Sequence, residues 1–222
     1  MIITIDGPAG AGKSSVAKAL AKRLGFRFLD TGAMYRAVAL AGLRAGVDWS
    51  APDALAQLAE TLRIDVDGHR TLLNGEDVTD AVRLSEVTAA TRYAADNVRV
   101  RDQLVRRQRE LAAGGNVVTE GRDQGTVAFP DAKLKVFLTA SPEERARRRL
   151  RDLERQAESA LLEDVLARQQ RRDREDATRT VGPLRQAPDA VEVWTDGLSF
   201  DAVVDRLVQL VEDVRSQDHA TD

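Results

Sequence analysis

The chain has 222 residues, of which 43% are hydrophobic and 31% are charged, which suffices for one sizeable core with a small inserted subdomain. A net charge of -3 gives no overall attraction to nucleic acid or anionic lipid, and the absence of cysteine excludes disulfides and cysteine-based zinc or nucleophile chemistry. No apolar run approaches the ~18 residues of a membrane span, and the pattern of a secretory leader, a basic segment followed by an apolar one, does not occur. We therefore expect a cytoplasmic protein without a membrane or nucleic-acid partner.

The predicted elements alternate between strand and helix from the start of the chain. "MIITID" predicts a buried strand, followed by a helix over Lys13–Leu24; "FRFLD" predicts a second strand, followed by a helix in "TGAMYRAVALAGLRAG" with Thr31 as its cap. A last amphipathic helix is predicted from about Ser199 to Val214, before a frayed tail at 216–222. Further strands are predicted from the same apolar pattern at 116–121, 135–140 and 190–194. This alternation is typical of an α/β fold built on a parallel sheet.

One segment interrupts the alternation. Residues 63–79, "RIDVDGHRTLLNGEDVT", contain two short β-like runs around Asp-Gly-His-Arg, and Asn-Gly follows the second run. This is the pattern of a β-hairpin, so we interpret residues of about 63–95 as a β-containing insertion. The core is then expected at about 1–62, 96–140 and 183–215.

A glycine-rich turn lies between the first predicted strand and the first helix. Gly7, Gly12, Lys13 and Ser14 satisfy the pattern G-x-x-x-x-G-K-[ST]. Glycines at positive φ let backbone N–H groups curl around oxygen anions, the lysine reaches β and γ phosphates, and the serine hydroxyl ligates Mg²⁺. The predicted phosphate-binding residues are Gly7, Pro8, Ala9, Gly10, Ala11, Gly12, Lys13, Ser14 and Ser15. The pattern alone specifies only the P-loop class of nucleotide-binding proteins.

Other features favour a kinase over a switch or a motor. No Asn-Lys-x-Asp guanine reader occurs, and the strand end "VVTEGRD" offers Glu120 and Asp123 in place of a paired Asp-Glu. Arginines come from widely separated segments, as two phosphorylated substrates placed end to end would require. They are Arg36, Arg101, Arg122, Arg172 and Arg179. Neither histidine, His69 in a predicted turn or His219 in the tail, is expected to act as a catalytic base.

Each arginine also has a structural interpretation. Arg36 falls on a predicted helix and is equally compatible with a solvated helix face. From Ser141-Pro142, a capping-box start, a helical pair is predicted to about Asp173, and its Glu-to-Arg spacings of four are typical of an exposed helix. Arg172 and Arg179 are expected where this pair ends and after it, at the edge of a closing lid over about 141–182.

Several motifs together resemble one family. "TIDGPAGAGKS", "LDTGAMYR", "VRVRDQLVRRQR", "EGRDQGTVAFPDA", "SPEERARRR" and "RRDREDATRTVGPL" follow one another along nearly the whole chain as in the bacterial cytidylate kinases. The resemblance implies a P-loop kinase core with helices on both faces, a helical lid and a small inserted subdomain that binds the nucleoside monophosphate. It also implies transfer of the γ-phosphate of ATP to CMP or dCMP, with Mg²⁺, by a protein that acts as a monomer.

The resemblance carries roles to individual positions. It implies CMP phosphate contacts from Thr31, Tyr35, Arg36 and Arg122. It implies cytosine contacts from Thr91, Arg101 and Asp123, with Arg92 as the alternative to Thr91 because "AADNVRVR" is longer than the family form. It implies ribose contacts from Arg172 and Asp176, with Arg179 joining Lys13 and Arg122 in neutralising the transferred phosphate. Whether Glu120, where the family has aspartate, contacts Mg²⁺ or its waters stays open.

Two other functions are compatible with the same residues. One is a P-loop kinase for another small acceptor, such as UMP. The other is a nucleotide-binding regulatory module whose arginine-rich helices bind a nucleic-acid backbone, which the mixed charges of those helices and the overall negative charge disfavour.

Overall fold

The computed structural model describes residues 1–155 and 159–221. Its strands are Ile2–Asp6 (β1), Arg27–Asp30 (β2), Ile64–Val66 (β3), Thr71–Leu73 (β4), Glu76–Asp77 (β5), Val117–Gly121 (β6), Leu134–Thr139 (β7) and Val191–Trp194 (β8). Its α-helices are Lys13–Leu24 (α1), Thr31–Arg44 (α2), Pro52–Glu60 (α3), Ser85–Ala95 (α4), Val98–Ala112 (α5), Pro142–Arg155 (α6), Leu162–Thr178 (α7) and Phe200–Thr221 (α8). No helix in these described ranges has the length and apolarity needed to cross a membrane.

Five strands form a parallel sheet in the order β2-β6-β1-β7-β8. Asp6, the last residue of β1, lies opposite Gly121 of β6 and Phe137 of β7. β1 and β6 therefore end at one level and β7 two residues beyond it, and ligands bind at this carboxyl edge in open α/β sheets. The α/β fold with a parallel sheet is confirmed.

The sheet separates two hydrophobic cores. Ile3 and Ile5 of β1 face a core completed by α1 and α8 and are fully buried. Val117 of β6 faces the other core, beneath α2, α4 and α5, while its neighbour Val118 faces the first. Because helices cover both faces, neighbouring residues of a central strand are buried on opposite sides, which explains why apolar residues such as Val117 and Val118 follow one another in the sequence.

The predicted insertion forms its own small sheet. β3 pairs antiparallel with β4, and β4 pairs antiparallel with β5, which confirms the hairpin pattern of residues 63–79. The sheet is followed by a short 3₁₀ turn at Ala81–Arg83 and by α4. Helix α4, β3 and β4 all pack against α2, so the insertion is joined to the core through this helix.

The lid segment folds as two helices, and its second helix is longer than predicted. The Ser141 Oγ accepts a hydrogen bond from the Glu144 N–H at 3.3 Å, as a cap does, but the Ser141 N–H bonds to Asp196 rather than to Glu144. Helix α7 continues to Thr178 because no helix breaker follows Asp173, so Arg172 and Asp176 lie within the helix and Arg179 comes directly after it. The predicted lid also spans 156–158, which lie outside the described residues.

Two further predictions of helix ends need correction. The N-cap of α2 is Asp30, not Thr31, because the extended backbone of Asp30 lets its Oδ1 accept the Ala33 N–H at 2.8 Å. Thr31 is the first helical residue, and its hydroxyl donates to the Glu120 carbonyl at 2.6 Å. Helix α8 continues past the predicted end near Val214 to Thr221, and so includes residues 216–221 of the predicted tail at 216–222; residue 222 lies outside the described residues.

Candidate functional site

The phosphate loop connects β1 to α1 at the carboxyl edge of the sheet. Gly7 and Gly12 have φ angles of 148° and 89°, which favour glycine. A side chain on Gly7 would collide with the backbone carbonyl of Leu138, so this position also requires close approach of two strands. Helix α1 begins at Lys13, which directs its positive amino end toward the loop. These features confirm the predicted strand, glycine turn and helix.

Lys13 is buried at the base of the loop. Its Nζ donates to the Pro8 carbonyl at 2.8 Å, and only 5% of the residue is exposed. Burial lowers the pKa of Lys13 to about 7, and the neighbouring guanidinium of Arg122 acts in the same direction. A phosphate anion in the loop would oppose both effects and raise the pKa of Lys13, because it would supply the negative charge that a buried ammonium requires.

Ser14 and Glu120 form an oxygen-rich pair beside the loop. The Ser14 hydroxyl donates to Glu120 Oε1 at 2.8 Å, although the two residues are 106 positions apart. In the described part of the chain, no three histidine, cysteine, aspartate or glutamate side chains cluster tightly enough to hold a metal ion by themselves. One hydroxyl and one carboxylate fit Mg²⁺, which usually takes few protein ligands and completes its shell with substrate phosphates and water.

A chain of alternating charges joins the core, the lid and the insertion. Arg122 Nε donates to Asp176 at 2.7 Å, and Arg179 Nη2 donates to the other oxygen of the same carboxylate at 2.5 Å. Arg179 Nε also pairs with Asp96, at the end of α4, at 2.9 Å. Burial opposes the charge of Asp176, but Arg122 and Arg179 outweigh it and lower the pKa of this carboxylate. One buried carboxylate thus holds two predicted phosphate-binding arginines in place.

Arg172 and Arg36 face the same cleft with fewer partners. Neighbouring protein atoms exclude water from the Arg172 guanidinium and so lower its pKa, although the residue as a whole is exposed. Repulsion from Arg122, Arg179 and Arg36 lowers this pKa further. Among the described residues none accepts a hydrogen bond from Arg172. Arg36 pairs with Asp30 at 3.3 Å, its side chain is 26% exposed, and its buried Nε has no hydrogen-bond partner in the described structure. Arg36 therefore does not lie on a solvated helix face.

The predicted cytosine-reading pair is in direct contact. Arg101 of α5 donates to Asp123, and both residues are about 95% buried, with exposures of 4% and 5%. Burial raises the pKa of Asp123, and the charge of Arg101 opposes this shift. The Arg101 guanidinium lies 5.6 Å from the ring centre of Tyr35, whose pKa burial raises to about 12. Gly182, with φ 58°, packs against both members of the pair, and a side chain there would displace them.

The two alternatives for a further base contact differ in their surroundings. The Thr91 hydroxyl donates to the Val87 carbonyl of its own helix at 2.8 Å. Arg92 is exposed, and it donates to the Tyr93 hydroxyl at 2.9 Å and lies 4.7 Å from the centre of that ring. Neither contact joins these side chains to Arg101 or Asp123, so this part of the predicted site stays a prediction.

No role was predicted for Asp6, although it directly precedes the glycine turn. Its carboxylate accepts the N–H groups of Gln124 and Gly125 at 2.9 and 2.7 Å, which fixes the π-helical turn at Gln124–Ala128 that follows Arg122 and Asp123. Burial raises the pKa of Asp6 to about 6. Its position at the carboxyl end of a buried strand was the available signal, because side chains there lie at the ligand edge of the sheet.

A cavity of about 790 Å³ lies elsewhere, lined by residues such as Ile2, Asn116 and Lys133. These residues stand at or just before the amino ends of β1, β6 and β7. The cavity is therefore at the opposite edge of the sheet from the phosphate loop, and it adds nothing to the cleft that holds the clustered arginines.

Comparison with known proteins agrees with this geometry. The family model described as cytidylate kinase matches residues 3–213. A cytidylate kinase from Rhodopirellula baltica is 49% identical over 213 residues, covering 96% of this chain and 93% of that protein. The cytidylate kinase of Mycobacterium avium is 50% identical over 219 residues, covering 95% of each chain, and that of Geobacter sulfurreducens is 46% identical over 228 residues, covering 100% and 95%. The chain belongs to the cytidylate kinase family.

Proposed function

We propose that this protein transfers the γ-phosphate of ATP to CMP or dCMP, giving ADP and CDP or dCDP. The observation that carries the proposal is the convergence of positive side chains from the phosphate loop, the start of α2, the end of β6 and the end of the lid. These side chains are Lys13, Arg36, Arg122, Arg172 and Arg179, and repulsion within the group adds to burial in lowering the pKa values of Lys13 and Arg172. Two nucleotides meeting at their phosphates would supply the missing negative charge.

The phosphate loop is the proposed ATP site. Its backbone from Gly7 to Ser15, together with the amino end of α1, would bind the β and γ phosphates, with Lys13 beside the γ group. We propose Ser14 and Glu120 as the residues that hold Mg²⁺ or its waters, since their oxygens lie 2.8 Å apart beside the loop. When bound with ATP, Mg²⁺ would neutralise charge on the β and γ phosphates.

The proposed CMP phosphate site is formed by Arg36 and Arg122, with Thr31 and Tyr35 beside them. The free Nε of Arg36 supports this assignment, because a buried donor without an acceptor is costly and a phosphate oxygen would satisfy it. The Asp176 carboxylate would bind the ribose hydroxyls together with Arg172. Asp176 already positions Arg122 and Arg179, so sugar binding and phosphate binding would depend on the same residue.

The Arg101–Asp123 pair is the proposed cytosine reader. Cytosine presents an amine donor beside a ring nitrogen and a carbonyl that accept hydrogen bonds, which suits one carboxylate and one guanidinium. Uracil presents a carbonyl where cytosine has the amine, so a buried Asp123 carboxylate would repel it. Gly182 lies against the pair, so the segment that follows α7 must shift when the base binds.

The chemistry requires alignment and charge neutralisation rather than a protein base. An ionised CMP phosphate oxygen would form a bond to the γ-phosphorus of ATP while the bond from that phosphorus to the β–γ bridging oxygen breaks, leaving ADP. Lys13, Arg122 and Arg179 would stabilise the charge on the transferred group, and the closed lid would exclude water. No covalent enzyme intermediate is needed.

Turnover with a panel of acceptors tests this proposal. Purified protein with ATP and Mg²⁺ should convert CMP and dCMP far faster than UMP or AMP. Preferred turnover of UMP would replace the acceptor assignment. Failure with all four monophosphates, together with salt-dependent binding to RNA or DNA, would instead support a regulatory nucleic-acid-binding module. We further propose that the protein acts in the cytoplasm as a monomer, which sedimentation at several concentrations checks.

A further inference from the structure

Helix α7 presents a polar stripe to the core. Gln169, Asp173 and Asp176 occur at intervals of four and three residues, so they share one face of the helix. Asp176 belongs to the proposed ribose and phosphate site. Gln169 and Asp173 contact a different part of the molecule, the tip of the phosphate loop, and neither was predicted to have a role.

Asp173 joins the lid to the phosphate loop through Ala9 and Arg145. Its Oδ1 accepts the Ala9 N–H at 3.3 Å, and its Oδ2 accepts Arg145 Nη1 at 2.6 Å. The same Arg145 nitrogen donates to the Ala9 carbonyl at 3.0 Å, and Arg145 Nε donates to the Ala140 carbonyl at 3.0 Å. Both polar groups of Ala9 are thus bonded to side chains of the lid helices.

The environment of these contacts makes them stronger than a surface ion pair. Arg145 is 5% exposed, and the Asp173 side chain is 20% exposed. Gln169 donates to the Arg145 carbonyl at 3.3 Å, and its Nε2 lies so near Gly10 that a side chain on this glycine would stand 2.6 Å from it. A side chain at residue 10 would therefore displace the Gln169 amide, and the φ angle of 78° at Gly10 also favours glycine.

We propose that Asp173 is a positioning residue that docks the lid on the phosphate loop and thereby fixes Arg172, Asp176 and Arg179 relative to the phosphates of ATP. Its attraction to Arg122, in addition to its contact with Arg145, places it between the two nucleotide sites. The proposal deepens the proposed phosphoryl transfer and, for its kinetic consequences, rests on it. Docking itself is a property of the protein without nucleotide and is testable separately.

Hydrogen exchange of the nucleotide-free protein tests the docking directly. In Asp173→Asn, which keeps the shape but loses the charge, and in Asp173→Ala, the peptide containing Ala9 should exchange about tenfold faster than in the unaltered protein, as expected for loss of one charge-assisted contact. Asp164→Asn, an exposed change on the same helix, should leave this exchange unchanged. Unaltered exchange at Ala9 in Asp173→Asn would overturn the proposal, whatever the enzyme's substrates are.

Kinetics of the same variants separate positioning from general loss of structure. Asp173→Asn should lower kcat about tenfold and raise ATP hydrolysis in the absence of acceptor, at temperatures well below a thermal midpoint that itself falls because Arg145 loses its charged partner. Asp173→Glu, which restores the charge, should recover part of the lost kcat. Equal kcat and equal hydrolysis in Asp173→Asn and Asp164→Asn would contradict the role in transfer. If Asp173→Ala fails to fold because Arg145 loses its partner, Asp173→Asn still decides the outcome.

Discussion

The two ends of the cleft differ in how their charges are balanced. At the phosphate end, Lys13, Arg122 and Arg172 repel one another, and the pKa of Lys13 is lowered to about 7. At the base end, Arg101 and Asp123 are paired with each other and almost fully buried. Any polyphosphate would therefore stabilise the phosphate end, whereas the base end is stabilised only by a ligand that makes hydrogen bonds to both Arg101 and Asp123. Affinity should come mainly from the phosphate end, and selectivity for the base from the base end.

The largest effect is expected at the phosphate end. Lys13→Ala should lower kcat by at least ~10²–10³-fold, because it removes the buried cation beside the transferred phosphate. The fold should persist, since the Pro8 carbonyl that accepts from Lys13 also accepts the Ala11 N–H at 3.5 Å. A coupled ADP-release assay measures the loss, and Lys18→Ala, an exposed change on the same helix, is the matched control. Near-normal turnover by Lys13→Ala would contradict the proposed role of the loop in phosphoryl transfer.

A change at the base end should affect one substrate only. Asp123→Ala should lower kcat/KM for CMP by the equivalent of roughly 2–4 kcal/mol, because a charged, buried hydrogen bond to the base is lost. The KM for ATP should stay nearly unchanged. The variant also leaves Arg101 buried without its partner, so its unfolding free energy must be measured alongside. Asp102→Ala, an exposed neighbour on α5, is the control. Equal losses for ATP and CMP would remove the distinction between the two ends.

Two adjacent arginines of the lid helix provide a sharper test of convergence. Arg172 faces the cleft without a hydrogen-bond acceptor among the described residues, whereas Arg171 lies 3.8 Å from Glu175, one turn along the same helix. Arg172→Ala should raise the KM for CMP about tenfold, as for one lost charged contact, while Arg171→Ala should change it less than twofold. Similar values for the two variants would show that charge density on the helix, rather than the cleft, determines binding.

The smallest expected effect is a proton taken up on binding. Since the pKa of Lys13 in the nucleotide-free protein is about 7, its amine is largely neutral at pH 8. The phosphates of bound ATP would raise this pKa, so that the amine takes up a proton. ATP binding at pH 8 should therefore take up a substantial fraction of one proton, and affinity should fall as the pH rises above about 7. Calorimetry in two buffers of different ionisation enthalpy measures this uptake. Uptake of no proton would mean that Lys13 is already charged in the free protein.

Local patterns predicted the sheet and the phosphate loop because they depend on neighbouring residues. The strand and glycine turn around Gly7 and the hairpin at 63–79 were each visible in a few consecutive residues. Helix ends were harder to predict, since Asp30 and Thr31 are both good caps. They differ only in contacts that the fold provides, of Asp30 with the Ala33 N–H and of Thr31 with the Glu120 carbonyl.

The rest of the site depends on contacts between distant segments. Asp173 meets Ala9 across 164 positions, and Arg122 meets Asp176 across 54, so no spacing rule applies to either pair. Asp96 is equally inconspicuous in sequence, yet it holds Arg179 from the insertion side at 2.9 Å. Family resemblance supplied Arg122, Asp176 and Arg179 as expectations, and the fold explains how one carboxylate positions both arginines.

The most direct measurement follows the labelled γ-phosphate of ATP in the presence of CMP and Mg²⁺. If the cleft brings two nucleotides together at their phosphates, the label should appear in CDP, with little released as inorganic phosphate. Label found only in inorganic phosphate, or retained in ATP with no CDP formed, would contradict the account.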